Sequence, residues 1–406
     1  MRPYEVYWIW LQQALGIASK RIADILEFFP SAKTFYEEGM ESWRNLGYFT
    51  GSQLRALNAE TLETAQAIYN DAMELGYSII TPEHALYPHT LRQIVDPPAV
   101  LYCKGKFPDF DEQVAISVVG TRTASPYGLN VSFDISAELC RAGAVIVSGG
   151  ALGVDISAHK GALSVDGITV AVLGCGINYA YLAENAGVRS AITNQGAVIT
   201  EYPPSTPPLP HHFPVRNRII SALSQGTLVV EAAKRSGSLI TAGLALEQGK
   251  DIFAIPGDIG SRTSKGTNEL IKSGAKAVMS AEDILEEYRQ VYPGRLSSIT
   301  APSQMEMPDR DRVQDTPVKK AKKPLFGASR KEIQAVAPSA PKIVPAELSE
   351  DARAFFGVLT GQPQHLDDLT EAAGLSPRQA LCAITELELL GCLRSKSGKR
   401  YYIDSQ

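Results

Sequence analysis

The chain is poor in the residues that build metal centres and disulfide frameworks, with five cysteines and six histidines among 406 residues. Cys103, Cys140, Cys175, Cys382 and Cys392 are an odd number, widely scattered, with no CxxC spacing. That pattern speaks against structural zinc and a cross-linked secreted fold, and for reduced core thiols of a cytoplasmic protein. No apolar run approaches the ~18 residues of a membrane span. Glu5, Gln12 and Gln13 stand where a signal peptide would be apolar. The expectation is therefore a cytoplasmic chain with no membrane span, no metal and no cofactor. Neither sign of charge dominates, since 39 basic against 44 acidic side chains leave −5. A grip on nucleic acid would need a local positive field.

What is present is length and apolar content. At 406 residues, 44% hydrophobic and 20% charged, the chain lies in the globular range and exceeds one ordinary domain. Proline marks the divisions. Eight of its 25 prolines fall between Tyr292 and Ala346, where apolar periodicity is weak, so 291–346 reads as a linker. Within it Lys319, Lys320, Lys322, Lys323, Arg330 and Lys331 form a basic run, suited to a solvated tether or to contact with phosphates.

Residues 1–75 read as short amphipathic helices broken at Gly16-Ile17, Gly47 and Gly51. Residues 76–290 form the largest domain. There, apolar runs at Val114–Gly120, Ala144–Ser148, Thr169–Gly174, Ala197–Glu201, Thr227–Glu231, Asp251–Pro256 and Ala275–Met279 alternate with helix-like segments. Runs without polar alternation are strands buried on both faces, so this is an α/β domain with a parallel sheet between helices, whose ligands bind beyond the strands' carboxyl ends. Residues 347–406 form a third unit. A helix capped at Ser376-Pro377, with Leu381, Ile384, Leu387 and Leu390 on one face, ends at Gly391. A hairpin from Leu393 to Ile403 turning at Ser397-Gly398 follows, in the order of a winged helix. That helix carries Arg378 against Glu386 and Glu388, a poor balance for a phosphate-walled groove, whereas Arg394, Lys396, Lys399 and Arg400 make the wing basic.

The strand ends carry the chemistry. Gly120-Thr121-Arg122 precedes a helix from Pro126, and Ser148-Gly149-Gly150 repeats the design one strand later. Glycine lets backbone amides approach an anion, the helix start adds partial positive charge, and Arg122 can fork onto a phosphate. Ser236-Gly237-Ser238 is a further amide nest at a helix start. A proline-stiffened loop from Glu201 leads to His211-His212-Phe213-Pro214 and then Arg216-Asn217-Arg218. This suits an exposed Phe213 stacking on a base with arginines on the adjacent phosphate, and equally a helix that caps the sheet and pairs with acids.

Other readings weaken on inspection. Tyr179 occupies the third glycine position of a dinucleotide fingerprint after Gly174, and the spacing from Gly243 to Lys250 is not that of a P-loop. His211 and His212 lack further ligands at metal spacing. Glu201 and Glu231 lack an accompanying nucleophile, and acids at strand ends commonly bond backbone amides.

Together these segments resemble the DprA (Smf) family of DNA-processing proteins of natural transformation. Gly120-Thr121-Arg122 is similar to its G-S-R element. Ser148 through Asp155 with His159, Glu201-Tyr202-Pro203, and His212-Phe213 through Arg216-Asn217-Arg218-Ile219-Ile220-Ser221 match further motifs in order. The resemblance implies an extended Rossmann-like, doubly wound, mostly parallel sheet, with an N-terminal helical domain and a C-terminal winged helix. It implies binding of single-stranded DNA, a homodimer and loading of a RecA-type recombinase; the lack of an assembled nucleophile, base and metal adds the expectation of no catalysis. By that similarity Arg122, Phe213, Arg216, Asn217 and Arg218, with the amides near Thr121 and Gly149-Gly150, would line the DNA pocket, and the turns read above add Gly120, Ser148, Ser236, Gly237 and Ser238 to the expected site. Tyr181-Leu182-Ala183 departs from the family's Tyr-Pro, and Gly16-Ile17-Ala18 from the G-I-G of a helix-hairpin-helix. The alternatives are a Rossmann-like nucleoside monophosphate hydrolase and a winged-helix regulator of duplex DNA.

Overall fold

The computed structural model describes residues 2–298 and, from 349 to 402, all but 361, 363, 377, 378, 381, 382, 385, 388–392 and 397–399. The basic run from Lys319 to Lys331 lies outside the described residues, as do Leu381, Leu390, Gly391 and the Ser397-Gly398 turn. The chain divides into two compact units, Met1–Ala321 and Lys322–Gln406.

Five helices open the first unit: α1 (Tyr4–Leu15), α2 (Arg21–Phe28), α3 (Ala32–Asn45), α4 (Gly51–Ala59) and α5 (Leu62–Glu74). Gly16, at φ +83°, ends α1, a conformation that costs glycine little. Ser31, Thr50 and Thr61 accept from the backbone amide three residues on and so cap α3, α4 and α5. Trp8, Trp10, Phe35 and Trp43 fill the core of these helices, and the cluster continues without a break into Tyr77, Ile79, Val100 and Tyr102. The helical segment is thus packed on the edge of the following sheet.

The sheet and its helices run β1 (Ser78–Ile80), α6 (His89–Arg92), β2 (Leu101–Gly105), β3 (Ala115–Val119), α7 (Pro126–Arg141), β4 (Val145–Ser148), α8 (Val154–Ser164), β5 (Thr169–Leu173), α9 (Ala186–Gln195), β6 (Ala197–Thr200), α10 (His212–Ala222), β7 (Gly226–Val229), α11 (Gly237–Glu247), β8 (Asp251–Ala254), α12 (Lys265–Lys272), β9 (Lys276–Ala277) and α13 (Glu282–Arg289). The nine strands lie in the order β1-β2-β6-β5-β4-β3-β7-β8-β9. β2 pairs antiparallel with β1 and β6, and the other neighbours are parallel. All seven apolar runs are strands of this sheet. β1 and β2 escape a reading for buried strands because one has three residues and the other ends in exposed Lys104 and Gly105.

Alternate residues of the central strands serve opposite faces. Ala115 and Val119 join a core with Ile219, Ile220 and Leu223 of α10 and Ala242 of α11. Ile116 and Val118 join Ile135 and Leu139 of α7, Ala158 and Ala162 of α8, and Ile284 of α13. The chain changes face between β6 and β7, where α10 carries it back across the sheet. The strand order accordingly reverses at β3 and β7, the position at which a doubly wound sheet leaves a crevice.

The second unit contains α14 (Glu350–Val358), β10 (Gln364–His365), α15 (Leu366–Ala372), β11 (Arg394–Lys396) and β12 (Arg400–Tyr402). The strands are ordered β10-β12-β11, and Arg394 faces Tyr402 in the wing hairpin. Ile384 and Leu387 are buried with Phe355, Phe356 and Leu369, as their spacing predicts. Glu386 accepts from the amide (2.8 Å) and hydroxyl (2.5 Å) of Ser349 at the start of α14. It is committed within its own unit rather than standing as free charge on the helix.

Candidate nucleic-acid interface

Beyond the carboxyl ends of β3 and β7 opens a cleft of about 510 Å³. Gly120, Thr121 and Arg122 line it from the turn after β3, Phe213, Arg216 and Asn217 from α10, and Ser236, Gly237 and Ser238 from the head of α11. Tyr181 and Pro210 complete it from loops. Nine of the thirteen residues singled out in the sequence therefore line one cavity.

Close backbone packing builds the turns. A Cβ on Gly120 would stand 2.5 Å from Val154, and one on Gly153 2.3 Å from the Thr121 carbonyl, so the turns after β3 and β4 nest together only as glycines. Glu231, buried beyond β7, accepts from the Ser125 amide (2.9 Å), the Ser125 hydroxyl (2.6 Å) and the Thr263 hydroxyl (3.2 Å). It pins the loop that carries Arg122. The Thr121 amide donates to the Glu231 carbonyl at 2.8 Å and is not free for a phosphate.

The nest after β4 is filled from within. Ser148 is buried and donates to the Val118 carbonyl at 2.6 Å. Asp155, in the first turn of α8, accepts from the amide of Ala151 at 3.4 Å, and the Gly149 amide supports the same carboxylate. A Cβ on Gly149 would stand 2.6 Å from Asp155 Oδ2 and 2.8 Å from Arg216 Nη2. Ser148, Gly149 and Gly150, expected to cradle an anion with their amides, thus do not line the cleft, because the chain's own carboxylate occupies that seat. Burial pushes Asp155 up to about 6, against the pull of Arg216. Arg216 in turn donates to the carbonyls of Gly149, at 2.8 Å, and Val172. Burial lowers the pKa of its guanidinium, against the pull of Asp155.

Arg218 is a clear departure from the expected site. Helix periodicity turns residues two apart on α10 away from one another, and Arg218 faces away from the cleft. Its Nη2 donates to Glu201 Oε1 and Oε2 at 2.8 and 2.7 Å, and its Nε lies 3.2 Å from Asp96. Burial pulls its pKa down, but the two acids outweigh it and hold the guanidinium above its ordinary value. The Ala18 amide meets Glu201 Oε1 at 3.4 Å and Gln12 donates to the Glu201 carbonyl at 3.1 Å, so this ion pair also ties the N-terminal helices to the sheet. Glu201 and Glu231 both have structural partners, and neither lines the cleft.

The remaining cleft groups point outward. Arg122 is exposed, with its guanidinium carbon 5.2 Å from the centroid of the Phe213 ring, and that of Arg216 lies at 5.9 Å. Phe213 is half-buried rather than fully exposed: its ring rests against Gly174 and lies 5.4 Å from Tyr181. Ser236 caps α11 by accepting from the Ser238 amide at 3.4 Å. Lys234 and Arg235, exposed immediately before that cap, add charge that the motif reading missed, although the Lys-Arg-Ser-Gly-Ser run carried the signal. Tyr181, noted in the sequence only where the chain departs from the family's Tyr-Pro, is brought to Phe213 by the fold. His212 is buried against Tyr202, with Nδ1 3.2 Å from the Gly174 carbonyl. Among the described residues no group of His, Cys, Asp and Glu is placed to hold a metal, and no helix is long and apolar enough to cross a membrane.

Fold and cleft together define a doubly wound α/β protein that surrounds an aromatic ring with cations at its topological switch point. Residues 78–289 match the DNA recombination-mediator protein A family and residues 337–399 the DprA winged helix domain. The chain belongs to that family. It is 43% identical over 214 residues to DNA processing protein DprA of Bacillus subtilis (strain 168), covering 53% of this chain and 72% of that protein. To Protein Smf of Escherichia coli (strain K12) it is 44% identical over 212 residues, covering 52% of this chain and 56% of that protein. The X-ray structure of DprA from Streptococcus pneumoniae superposes with a TM-score of 0.61 at 32% identity, covering 71% of this chain and 98% of that one.

Proposed function

We propose that this protein binds single-stranded DNA in the β3–β7 cleft and acts in DNA processing without catalysing a reaction. One observation carries the reading: the exposed Arg122 guanidinium lies over the Phe213 ring at the mouth of the cleft. A base must be unstacked to lie on an aromatic face, which a single strand offers and a duplex withholds, and an adjacent arginine then meets the phosphate. Thr121, Asn217, Ser236 and Ser238 supply neutral polar groups around it. Glu201 and Glu231, the acids best placed by sequence for general acid–base chemistry, are spent on Arg218 and Ser125, which supports a binding role over hydrolysis. Protection of the strand and loading of a RecA-type recombinase extend the proposal from the family's description as a recombination mediator, and assembly of two copies from the family resemblance alone.

Salt-titrated binding to single and double strands tests the reading. Single strands should bind more tightly, and Arg122→Ala should weaken binding and flatten the log-log salt dependence by about 0.7 for the lost phosphate contact. Unchanged affinity and slope in that variant would remove the cleft from the argument. Nucleoside monophosphates should survive incubation intact, and their hydrolysis at enzyme-like rates would replace a binding protein with a hydrolase.

A further inference from the structure

A second cavity, of about 280 Å³, lies against Arg218, on the side of α10 turned from the cleft, and at the C-terminal end of α11. Arg218 lines it, and although Nη2 is held by Glu201, the buried Nη1 makes no hydrogen bond among the described residues. Gln248 donates Nε2 to the Arg218 carbonyl at 3.1 Å, while its buried Oε1 accepts nothing, and Thr90 Oγ1 is likewise unpaired. Buried polar groups are nearly always satisfied, so three unpaired ones around a single cavity point to a ligand that completes them. Lys20 and Lys250 also line the space, opposed by Asp96 and Glu247. This balance argues against a bare anion and for a ligand that presents both donors and acceptors.

We propose that the cavity takes a nucleobase edge-on, through a ring or carbonyl acceptor that stands beside an N–H donor. Arg218 offers donors only and calls for the acceptor. The Asp96 carboxylate, 3.2 Å from Arg218 Nε, and Gln248 Oε1 offer acceptors only and call for the N–H. Ile94, Val95 and Leu244 supply apolar contact for the ring, and Lys20 and Lys250 are the cations available to its phosphate. The base can belong to a free nucleotide or to a DNA strand. The 11 residues of α11 join the two cavities over about 16 Å, a distance a few nucleotides span. The strand alternative rests on the single-strand reading above, and the free-nucleotide alternative does not.

Calorimetric titration of the full chain with millimolar TMP, dAMP and 2-deoxyribose 5-phosphate tests the site. The first two should bind about tenfold more tightly than the third, which has no base edge. Val95 is 66% exposed, so Val95→Trp can fill the cavity without disturbing the core, and it should abolish nucleotide binding while Val95→Ala retains it. An unchanged melting temperature certifies each variant. Absence of nucleotide binding, equal affinity for the sugar phosphate, or loss on Arg122→Ala rather than Val95→Trp would overturn the assignment. If Val95→Trp also weakens oligothymidylate binding and lowers its salt slope, as loss of the Lys20 and Lys250 contacts requires, the strand supplies the base. If only mononucleotide binding disappears, the ligand is the free nucleotide. A wild-type chain that binds mononucleotides here but no single strand would refute the cleft reading alone.

Discussion

Phe213 and Arg218 sit on the same helix, five residues apart, and substitution should separate their roles. Phe213 lines the cleft half-buried, so Phe213→Leu keeps the apolar contact with Gly174 and loses the stacking face. Single-strand affinity should fall by about 1–3 kcal/mol with little change in melting temperature. If the variant melts early with affinity per folded molecule intact, the ring is a core residue. Arg218→Ala should do the reverse. It strands the Glu201 carboxylate, 2% exposed, without its cation and should cost about 3–5 kcal/mol of stability, measured by denaturant unfolding. Its salt slope should match wild type, since Arg218 meets carboxylates and not the cleft. Sequence alone treated Arg216 and Arg218 as equivalent. The partners that distinguish them come from residues 96, 155 and 201, and no local pattern reports those.

At the scale of an element, α8 carries two buried titratable groups one turn apart whose effects oppose. Burial pushes Asp155 up to about 6, so the folded state holds a proton that the unfolded carboxyl, at ~3.9, has released. Its contribution to stability is therefore largest in acid and declines as pH rises from about 4 to about 6. Burial pushes His159 down to about 3 from 6.5, with its Nδ1 2.7 Å from the Thr169 hydroxyl. The folded state is then the one lacking a proton, and stability is lost as pH falls below 6.5. Between about pH 4 and 6 each slope approaches ~1.4 kcal/mol per pH unit, with opposite sign, and the two offset one another. Asp155→Asn should uncover the histidine, so that stability falls more steeply than in wild type from pH 6 to pH 4. Urea unfolding at stepped pH measures it, and parallel curves for the two proteins would refute the assignment.

For the whole molecule, every cleft residue falls between Val119 and Thr241, inside the first compact unit. Deleting 347–406 should accordingly leave most of the single-strand affinity, read by anisotropy. The second unit has a basic wing in its sequence, while the adjoining helix spends Glu386 on Ser349, so it suits protein contact or sequence-blind contact with a DNA backbone. Selection from random duplexes with the isolated unit should yield no shared motif, and convergence on one would make it a sequence reader.

The parallel sheet, its two helical faces and the hairpin of the second unit were written in local pattern, because buried strands and capped helices depend on neighbours within a few residues. Ser376 caps as its type predicts, meeting the Gln379 amide at 3.4 Å. Gly120, Arg122, Phe213 and Ser236 were legible for the same reason: switch-point chemistry follows from strand ends and helix starts. The tertiary structure decided the rest. It brought Tyr181 to Phe213, set Asp155 in the nest that Gly149 and Gly150 appeared to offer a phosphate, and turned Arg218 onto Glu201. Each outcome is a competition between an internal partner and an external ligand for one donor or acceptor. Its winner depends on distances across the fold that no spacing along the chain encodes.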